Sequence, residues 1–187
     1  MDFSHQKICI APLGVINETV LTHITSAVEE AFGIPVVRLP AQAEPVYAFD
    51  EDRGQYYARS ILRVLSRNLP PDALKVLAVT EVDLFIQDMN YVFGEAVVNG
   101  HVGVISLCRL RPEFYGKPKN ERLLIERAIK EAIHELGHTF GLRHSADPSS
   151  VMHFSTDIHD TDRKSAHFAT NEIALLASKL EARRYAA

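Results

Sequence analysis

The sequence ERLLIERAIKEAIHELGHTFGLRH occupies residues 121–144. Its apolar residues recur every three or four positions, the period of a helix with one buried face; they are Leu124, Ile125, Ala128, Ile129, Ala132, Ile133 and Leu136. We therefore predict one long helix over residues 121–141. Gly141 follows the last apolar turn, where a glycine ends a helix at low cost in the left-handed conformation.

Two histidines, His134 and His138, lie four residues apart near the end of this helix. Such residues are about 40° apart around a helix axis and about 6 Å apart along it, so both imidazoles reach one point. Glu135 is the residue after His134 and lies about 100° further around the helix axis. From there its carboxyl group can reach a water bound where the two imidazoles meet, without itself being a metal ligand. A turn at Gly141 then brings His144 back toward the same place.

This set of residues predicts a catalytic zinc site. Three neutral imidazoles leave one position on the ion open, whereas a structural zinc is normally closed by four protein ligands. We predict His134, His138 and His144 as the metal ligands and Glu135 as the catalytic residue. The full pattern, H-E-x-x-H-x-x-G-x-x-H, is the metzincin signature.

Strand-like and helical patterns alternate along the first half of the chain. Short apolar runs predict strands, and apolar residues spaced by four predict helices. The first helix has Asn17 as its predicted N-cap and Gly33 at its end. In chain order we predict a strand at 7–13, this helix at 17–32, a strand at 34–39, a surface loop at 41–53, a helix at 54–69 and a strand at 74–80.

A hairpin precedes the long helix. Asn99-Gly100, a strong signal for a tight antiparallel turn, joins predicted strands at 91–98 and 101–107. After the long helix we predict a loop over 142–169 and a closing helix over 171–186. The fold class expected is α/β (α+β), with a mixed twisted sheet of about five strands, an antiparallel edge hairpin, and helices packed on the sheet.

Composition excludes several classes of protein. The chain has 187 residues, 47% of them hydrophobic, and a net charge of only −4, which argues against disorder and against a basic nucleic-acid surface. No apolar run is long enough to span a bilayer, and residues 1–7 show no signal-peptide pattern. Cys9 and Cys108 are expected to be free buried thiols. We expect one catalytic domain over residues 1–187, cytoplasmic and without nucleic-acid or membrane partners; its oligomeric state is not indicated.

Residues beyond the third histidine indicate which group of metzincins the chain resembles. Met152 lies eight residues after His144, and in metzincins such a methionine forms a turn beneath the zinc. With the histidine motif, three further segments make the chain resemble the archaemetzincins: Ser149 to Ser155, Asp160 to Lys164, and the hairpin residues Phe93 to Ala96 and Val104 to Leu110. The resemblance implies a metzincin (zincin-like) fold, in which a twisted sheet lies above a cleft and its edge strand pairs with an extended peptide.

The sequence departs from that family at one place. Archaemetzincins typically carry four cysteines that bind a second, structural zinc. The corresponding positions here are Ser145, Ser150 and the vicinity of Ala169 and Glu172. Because serine and alanine do not replace thiolates on zinc, we predict that the second site is absent and that one catalytic ion is bound.

The same loop holds three further histidines, His153, His159 and His167. They are candidates for an unrelated metal site, but their irregular spacing fits no standard site and favours a solvated loop. Packing or hydrogen bonds must then hold the loop. Three charged residues either supply those bonds or form a solvated cluster: Asp160, Asp162 and Lys164.

The function predicted is zinc-dependent hydrolysis of a peptide or protein substrate. Glu135 takes a proton from the metal-bound water and passes it to the leaving amine. Two alternatives remain open: a zinc-binding module with little or no hydrolytic activity, and hydrolysis of a non-peptide amide. A side chain from residues 145–167, such as His153, at the open metal position would favour the module.

Overall fold

The computed structural model describes residues 6–185, with side chains up to residue 182. The signal-peptide question at residues 1–5 and the predicted end of the last helix at Ala186 lie outside this range. The strands are β1 (Lys7–Leu13), β2 (Val36–Arg38), β3 (Phe49–Asp50), β4 (Gln55–Tyr57), β5 (Ala73–Thr80), β6 (Leu84–Ile86), β7 (Met89–Val92), β8 (Gly94–Ala96) and β9 (Val102–Ser106). The helices are α1 (Glu18–Phe32), α2 (Ala58–Arg67), α3 (Glu121–Thr139), α4 (Ile158–Arg163) and α5 (Thr170–Tyr185).

The larger sheet has the strand order β2-β1-β5-β9-β8. Its first four strands are parallel, and β8 joins β9 antiparallel at the edge. Strands β1 and β5 are buried on both faces, which is why they read as continuous apolar runs rather than alternating ones. The predicted mixed sheet of about five strands with an antiparallel edge hairpin is confirmed.

A second, smaller sheet of order β3-β4-β6-β7 was not predicted. The loop prediction for residues 41–53 was wrong at Phe49–Asp50, and the helix prediction for 54–69 was wrong at Gln55–Tyr57. Tyr57 keeps helical spacing with Ile61, but its backbone pairs with Phe85 of β6. That pairing comes from a distant segment, and local periodicity does not reveal it.

The predicted strand over 91–98 is divided between the two sheets. Val92 pairs with Leu84 in the smaller sheet, whereas Gly94 pairs with Ile105 in the larger one. The chain changes sheets between them, at Phe93. The hairpin that follows is confirmed, and Asn99 in its turn has a φ of +55°.

Helices cover both faces of the larger sheet. Helices α1 and α3 share one apolar core on one face, and α2 belongs to a second core on the other. Asn17 caps α1 by accepting from the amide of Thr19 at 2.7 Å, and Gly33 ends it with a φ of +63°, both as predicted. Among residues 6–185 we find no helix with the length and apolar character needed to cross a membrane.

The loop after α3 contains the short helix α4 and is held by ion pairs. Arg127, whose side chain is 2% exposed, makes a two-pronged contact with Asp162 at 2.7 and 2.8 Å. Lys164 pairs with Glu131 at 2.9 Å. Asp160 accepts from the amide and hydroxyl groups of Thr156. Of the two alternatives for Asp160, Asp162 and Lys164, the structure favours the one in which they hold the loop.

Candidate metal centre

Helix α3 brings two imidazoles together on its buried face. His134 is 5% exposed and His138 is 8% exposed. Their Nε2 atoms lie 3.1 Å apart. Regular helix geometry is sufficient for this contact, because side chains four residues apart lie on the same side.

The turn after α3 returns the chain to these imidazoles. The helix ends at Thr139 rather than at residue 141, because Gly141 has a φ of +86°. The amide of Gly141 donates to the carbonyl of His138 at 2.8 Å. The Nε2 atom of His144 then lies 3.2 Å from that of His138. The three predicted histidines therefore converge, with one donor atom from each within 4.8 Å of the others.

Backbone carbonyls orient two of the three rings. The Nδ1 atom of His134 lies 2.8 Å from the carbonyl of Val151, and that of His138 lies 2.9 Å from the carbonyl of Leu142. A carbonyl only accepts, so the Nδ1–H groups donate and each Nε2 presents its lone pair to the centre. Lone pairs this close repel one another unless a cation lies among them. The donor set therefore fits zinc.

Burial lowers the pKa of all three imidazoles. Loss of hydration is the main cause for each ring, and it lowers the pKa of His144 to about 4. Charges on neighbouring imidazoles and on Lys164 lower the pKa values of His134 and His144 further. The rings are therefore neutral near pH 7, which is the state that binds a metal ion.

The carboxyl group of Glu135 rests against the edge strand. A Cβ atom added to Gly94 would lie 2.6 Å from both Cγ and Oε1 of Glu135. Glu135 is 5% exposed, and burial raises its pKa well above the ordinary value. The charges of Glu131 and Glu95 raise that pKa further. Glu135 is thus a stronger base than an exposed glutamate.

A cleft of about 620 Å³ lies over the histidines and Glu135. Strand β8 lines one wall, residues 154–156 line another, and α3 contributes the residues beneath. The hydroxyl group of Tyr91, in β7, donates to the carbonyl of Thr156 at 3.2 Å, and both residues line the cleft. The ring of Phe154 lies 4.8 Å from that of His144, centroid to centroid.

Met152 packs against helix α3. It is fully buried, and a Cβ atom on Gly137 would lie 2.5 Å from its Sδ atom. Gly137 lies between the two histidines of α3, so the close approach of the methionine depends on the absence of a side chain there. The carbonyl of Met152 also accepts from the amide of Ser145 at 2.9 Å, next to His144.

Hydrogen bonds join three of the four positions at which the sequence lacks cysteines: Ser150, Ala169 and Glu172. The hydroxyl group of Ser150 donates to Oε2 of Glu172 at 2.6 Å, and the amide of Ala169 donates to the same oxygen at 2.8 Å. Ser150 also accepts from the amide of Met152 at 3.0 Å. This link connects the start of α5 to the methionine segment.

The other histidines of the loop do not gather into a site. Within residues 6–185, the single group of three or more potential metal-binding side chains is the cluster of His134, His138 and His144. His153 instead places Nδ1 3.1 Å from the carbonyl of Ser145. The interpretation of these histidines as part of a solvated loop stays a prediction.

Two acidic residues of the cleft, Glu95 and Glu131, were not predicted from the sequence. Glu131 lines the cleft, and its carboxylate pairs with Lys164; the two side chains are 4% and 0% exposed. The spacing of residues on the helix could have indicated Glu131, since it lies one turn before Glu135 and so on the same side. The partner across the loop was not visible in any local pattern.

Histidines that converge beside an open cleft, with a buried glutamate in reach, are typical of zinc metallopeptidases. That is the class that the fold and the cluster define. The chain belongs to Peptidase family M54, whose family model matches residues 19–178. It is therefore a zinc metallopeptidase, a hydrolase that acts on peptide or protein substrates.

Relatives and solved structures agree. The chain is 45% identical to an archaemetzincin of Methanocaldococcus jannaschii over 158 residues, 84% of this chain and 86% of that one. It superimposes on the crystal structure of an archaemetzincin from Methanopyrus kandleri with a TM-score of 0.83 and 35% identity, covering 95% and 97% of the two chains. It also superimposes on the crystal structure of a zinc-dependent peptidase from Methanocorpusculum labreanum, with a TM-score of 0.82 and 28% sequence identity. That match covers 90% of this chain and 99% of the other. The predicted resemblance to archaemetzincins is confirmed.

Proposed function

We propose that His134, His138 and His144 hold one zinc ion and that Glu135 is the general base of peptide hydrolysis. The observation that carries the proposal is the convergence of three Nε2 donors beside the buried carboxyl group of Glu135. Zinc at such a site lowers the pKa of a bound water toward about 7 and polarises a carbonyl group.

Glu135 performs the proton transfers in this proposal. It takes a proton from the attacking water and gives it to the leaving amine. The raised pKa of its buried carboxyl group suits the first step, because the group accepts a proton more readily than an exposed glutamate does. Gly94 leaves the space in which this carboxyl group sits.

The edge strand is the proposed binding surface for the peptide. The amide of Ser106 donates to the carbonyl of Phe93, and the amide of Val97 donates to the carbonyl of Val102. In an antiparallel ladder the bonded residues alternate, so the backbone groups of Gly94 and Ala96 point away from β9, and both residues line the cleft. An extended peptide that pairs with them becomes a further strand of the sheet.

We further propose that one zinc ion binds per chain and that the second, four-cysteine site is absent. Supporting this, Ser150 and Glu172 are bonded to each other, and Ala169 has no metal-binding atom in its side chain. Met152 is proposed as the turn that supports the histidines, on the basis of its contact with Gly137. The single domain over residues 1–187 and the cytoplasmic location stay predictions.

The zinc-binding module is the second candidate, and the position of His153 argues against it. A module needs a protein side chain at the open metal position. His153 was named as an example of a loop residue that would indicate the module, but its Nδ1 atom lies 3.1 Å from the carbonyl of Ser145 and the residue is not part of the donor cluster. Family membership favours peptides over other amides.

The decisive test is Glu135→Ala in the zinc-loaded protein. We expect zinc content to stay near one per chain while cleavage of a peptide library is lost, by at least about 100-fold. Glu126→Ala is the matched control, because Glu126 is on the same helix and pairs with Arg122 on its exposed side. Retained hydrolysis in Glu135→Ala would exclude the assigned base.

His144→Ala should weaken zinc binding, and unchanged zinc affinity would place the third ligand elsewhere.

A further inference from the structure

The charged side chains that line the cleft differ in whether the protein already neutralises them. Glu95 of β8 accepts from Nε of Arg59 at 3.1 Å. Glu131 pairs with the buried Lys164 at 2.9 Å. Both carboxylates are therefore balanced by a cation of the same chain, and neither attracts a charged substrate strongly.

Arg143 is the exception. Its exposed side chain lines the cleft, and within residues 6–185 it has no ion pair, no hydrogen bond and no aromatic ring beneath it. Glu135 is not counted here as a group that binds a substrate side chain, because it performs the proton transfers of the proposed reaction. Apart from that group and the histidines, the cleft thus presents one unbalanced charge, and it is positive.

The backbone at Arg143 is held on both sides. The carbonyl of Leu142, the residue before it, lies 2.9 Å from Nδ1 of His138. The residue after it is His144, which belongs to the donor cluster. The backbone from which the Arg143 side chain extends is therefore fixed next to the proposed metal ligand His144.

Arg143 also lies at a defined end of the cleft. The amide of Asn99, in the hairpin turn, donates to the carbonyl of His138 at 2.9 Å and brings Val98 to the C-terminal end of α3. Arg143 follows that end of the helix, and Val98 lines the cleft with it. The contact between Tyr91 and Thr156 involves β7, which precedes β8 in the chain, and so belongs to the N-terminal side of β8.

From this placement we infer that Arg143 selects peptides with an acidic side chain on the N-terminal side of the scissile bond. This inference rests on the proposed peptidase function. Strand β8 runs from Gly94 to Ala96 and leads into the turn at Asn99, which is bonded to the end of α3 that Arg143 follows. A peptide paired antiparallel with β8 runs the other way, which puts its N-terminal residues at the Arg143 end. An aspartate or glutamate there meets the unbalanced guanidinium group.

The test compares two fluorogenic peptides that differ only in carrying Glu or Lys two or three residues before the cleaved bond. We expect the zinc-loaded wild-type protein to prefer the Glu peptide by about fivefold in kcat/KM, the scale of an exposed ion pair. Arg143→Glu should reverse the preference, and Arg143→Lys should keep most of it. Arg63→Glu, an exposed site on α2, changes the net charge equally and should leave the preference intact.

A measurement of peptide binding tests the role of Arg143 independently of the proposed peptidase activity. Fluorescence anisotropy of the same two peptides, labelled, on zinc-loaded Glu135→Gln reports the preference without hydrolysis. Preferential binding of the Glu peptide with no cleavage by the wild type would reject the peptidase mechanism but support the role of Arg143. An equal affinity for both peptides, or a shift as large in Arg63→Glu as in Arg143→Glu, would overturn the inference. The inference would also be overturned if the preference for an acidic residue were found on the C-terminal side of the scissile bond instead.

Discussion

A missing side chain at Gly94 sets the position of the proposed base. The Cβ atom of an alanine there would lie 2.6 Å from Cγ and Oε1 of Glu135, so the carboxyl group has to move. Because a displacement of about 1 Å costs on the order of 100-fold in rate, we predict that Gly94→Ala lowers kcat/KM by about 10- to 100-fold with little change in zinc content.

The control for Gly94→Ala lies on the neighbouring strand. A Cβ atom on Gly103 would meet its nearest neighbours at 3.4 to 3.5 Å, which is ordinary van der Waals contact. Gly103→Ala should therefore keep most of the activity. Peptidase assays on both variants, with elemental analysis for zinc, test the prediction. Full activity in Gly94→Ala would show that the base does not depend on this space.

The buried pair of Lys164 and Glu131 predicts a large effect of one substitution. Both side chains are almost completely shielded, so Lys164→Met leaves a buried carboxylate without its cation. Removal of one partner from such a pair costs about 3–5 kcal/mol in the free energy of unfolding. The neighbouring Arg163 makes an exposed pair with Asp160, so Arg163→Met should cost less than about 1 kcal/mol.

Urea unfolding of the two variants measures that difference. In addition, Glu131→Gln combined with Lys164→Met should recover part of the stability, because no unpaired charge is then left in the core. Equal destabilisation by Lys164→Met and Arg163→Met would show that burial does not decide the strength of these pairs.

At the scale of elements, α4 is attached to α3 through a pair that depends on pH. The hydrogen bonds from Arg127 to Asp162 lower the pKa of that carboxyl group below its ordinary value. A group whose pKa is lower in the folded state stabilises the fold above its unfolded pKa, about 3.9 for aspartate, and loses this contribution as the pH falls through the folded value. The contribution is therefore present at pH 7 and lost in strong acid.

We predict that Asp162→Asn destabilises the protein at pH 7 by about 2–4 kcal/mol, because Arg127 is buried and loses a charged partner. The difference in unfolding free energy between wild type and variant should shrink as the pH falls below about 4. Chemical unfolding between pH 7 and pH 3 measures this difference. A difference that does not vary with pH would mean that the Asp162 charge contributes nothing.

Elements with their own local signals were predictable, and elements made by distant pairing were not. The caps of α1 and the turn at Asn99 follow from single residues with strong conformational preferences. Strands β3, β4 and β6 have two or three residues each, too few for a period, and exist because they pair with one another. Helix α4 is likewise a short segment held by α3.

The candidate site was predictable for the same reason. His134, Glu135 and His138 lie on one helix, and a single glycine turn returns His144 to them. The walls of the cleft come from separate parts of the chain, so the sequence did not reveal that Glu131 meets Lys164 or that Gly94 faces Glu135.

At the scale of the whole molecule, two of the connections beneath the cleft differ in whether they involve the proposed metal. The histidine cluster joins α3 to the segment that carries His144. The bonds among Glu172, Ser150 and Met152 join α5 to the methionine segment without any ion. Apolar packing adds to both connections, since Leu142 and Met152 belong to the core that α1 and α3 share.

We therefore predict about one zinc per chain in protein purified without chelator or His-tag, and a folded protein after the zinc is removed. Chelation should lower Tm by several degrees, since bound zinc stabilises only the folded state, while the far-ultraviolet circular dichroism stays unchanged. One equivalent of zinc should restore Tm. Elemental analysis and thermal melts decide the matter: about two zinc ions per chain would reveal a second site, and loss of secondary structure on chelation would show that the fold depends on the metal.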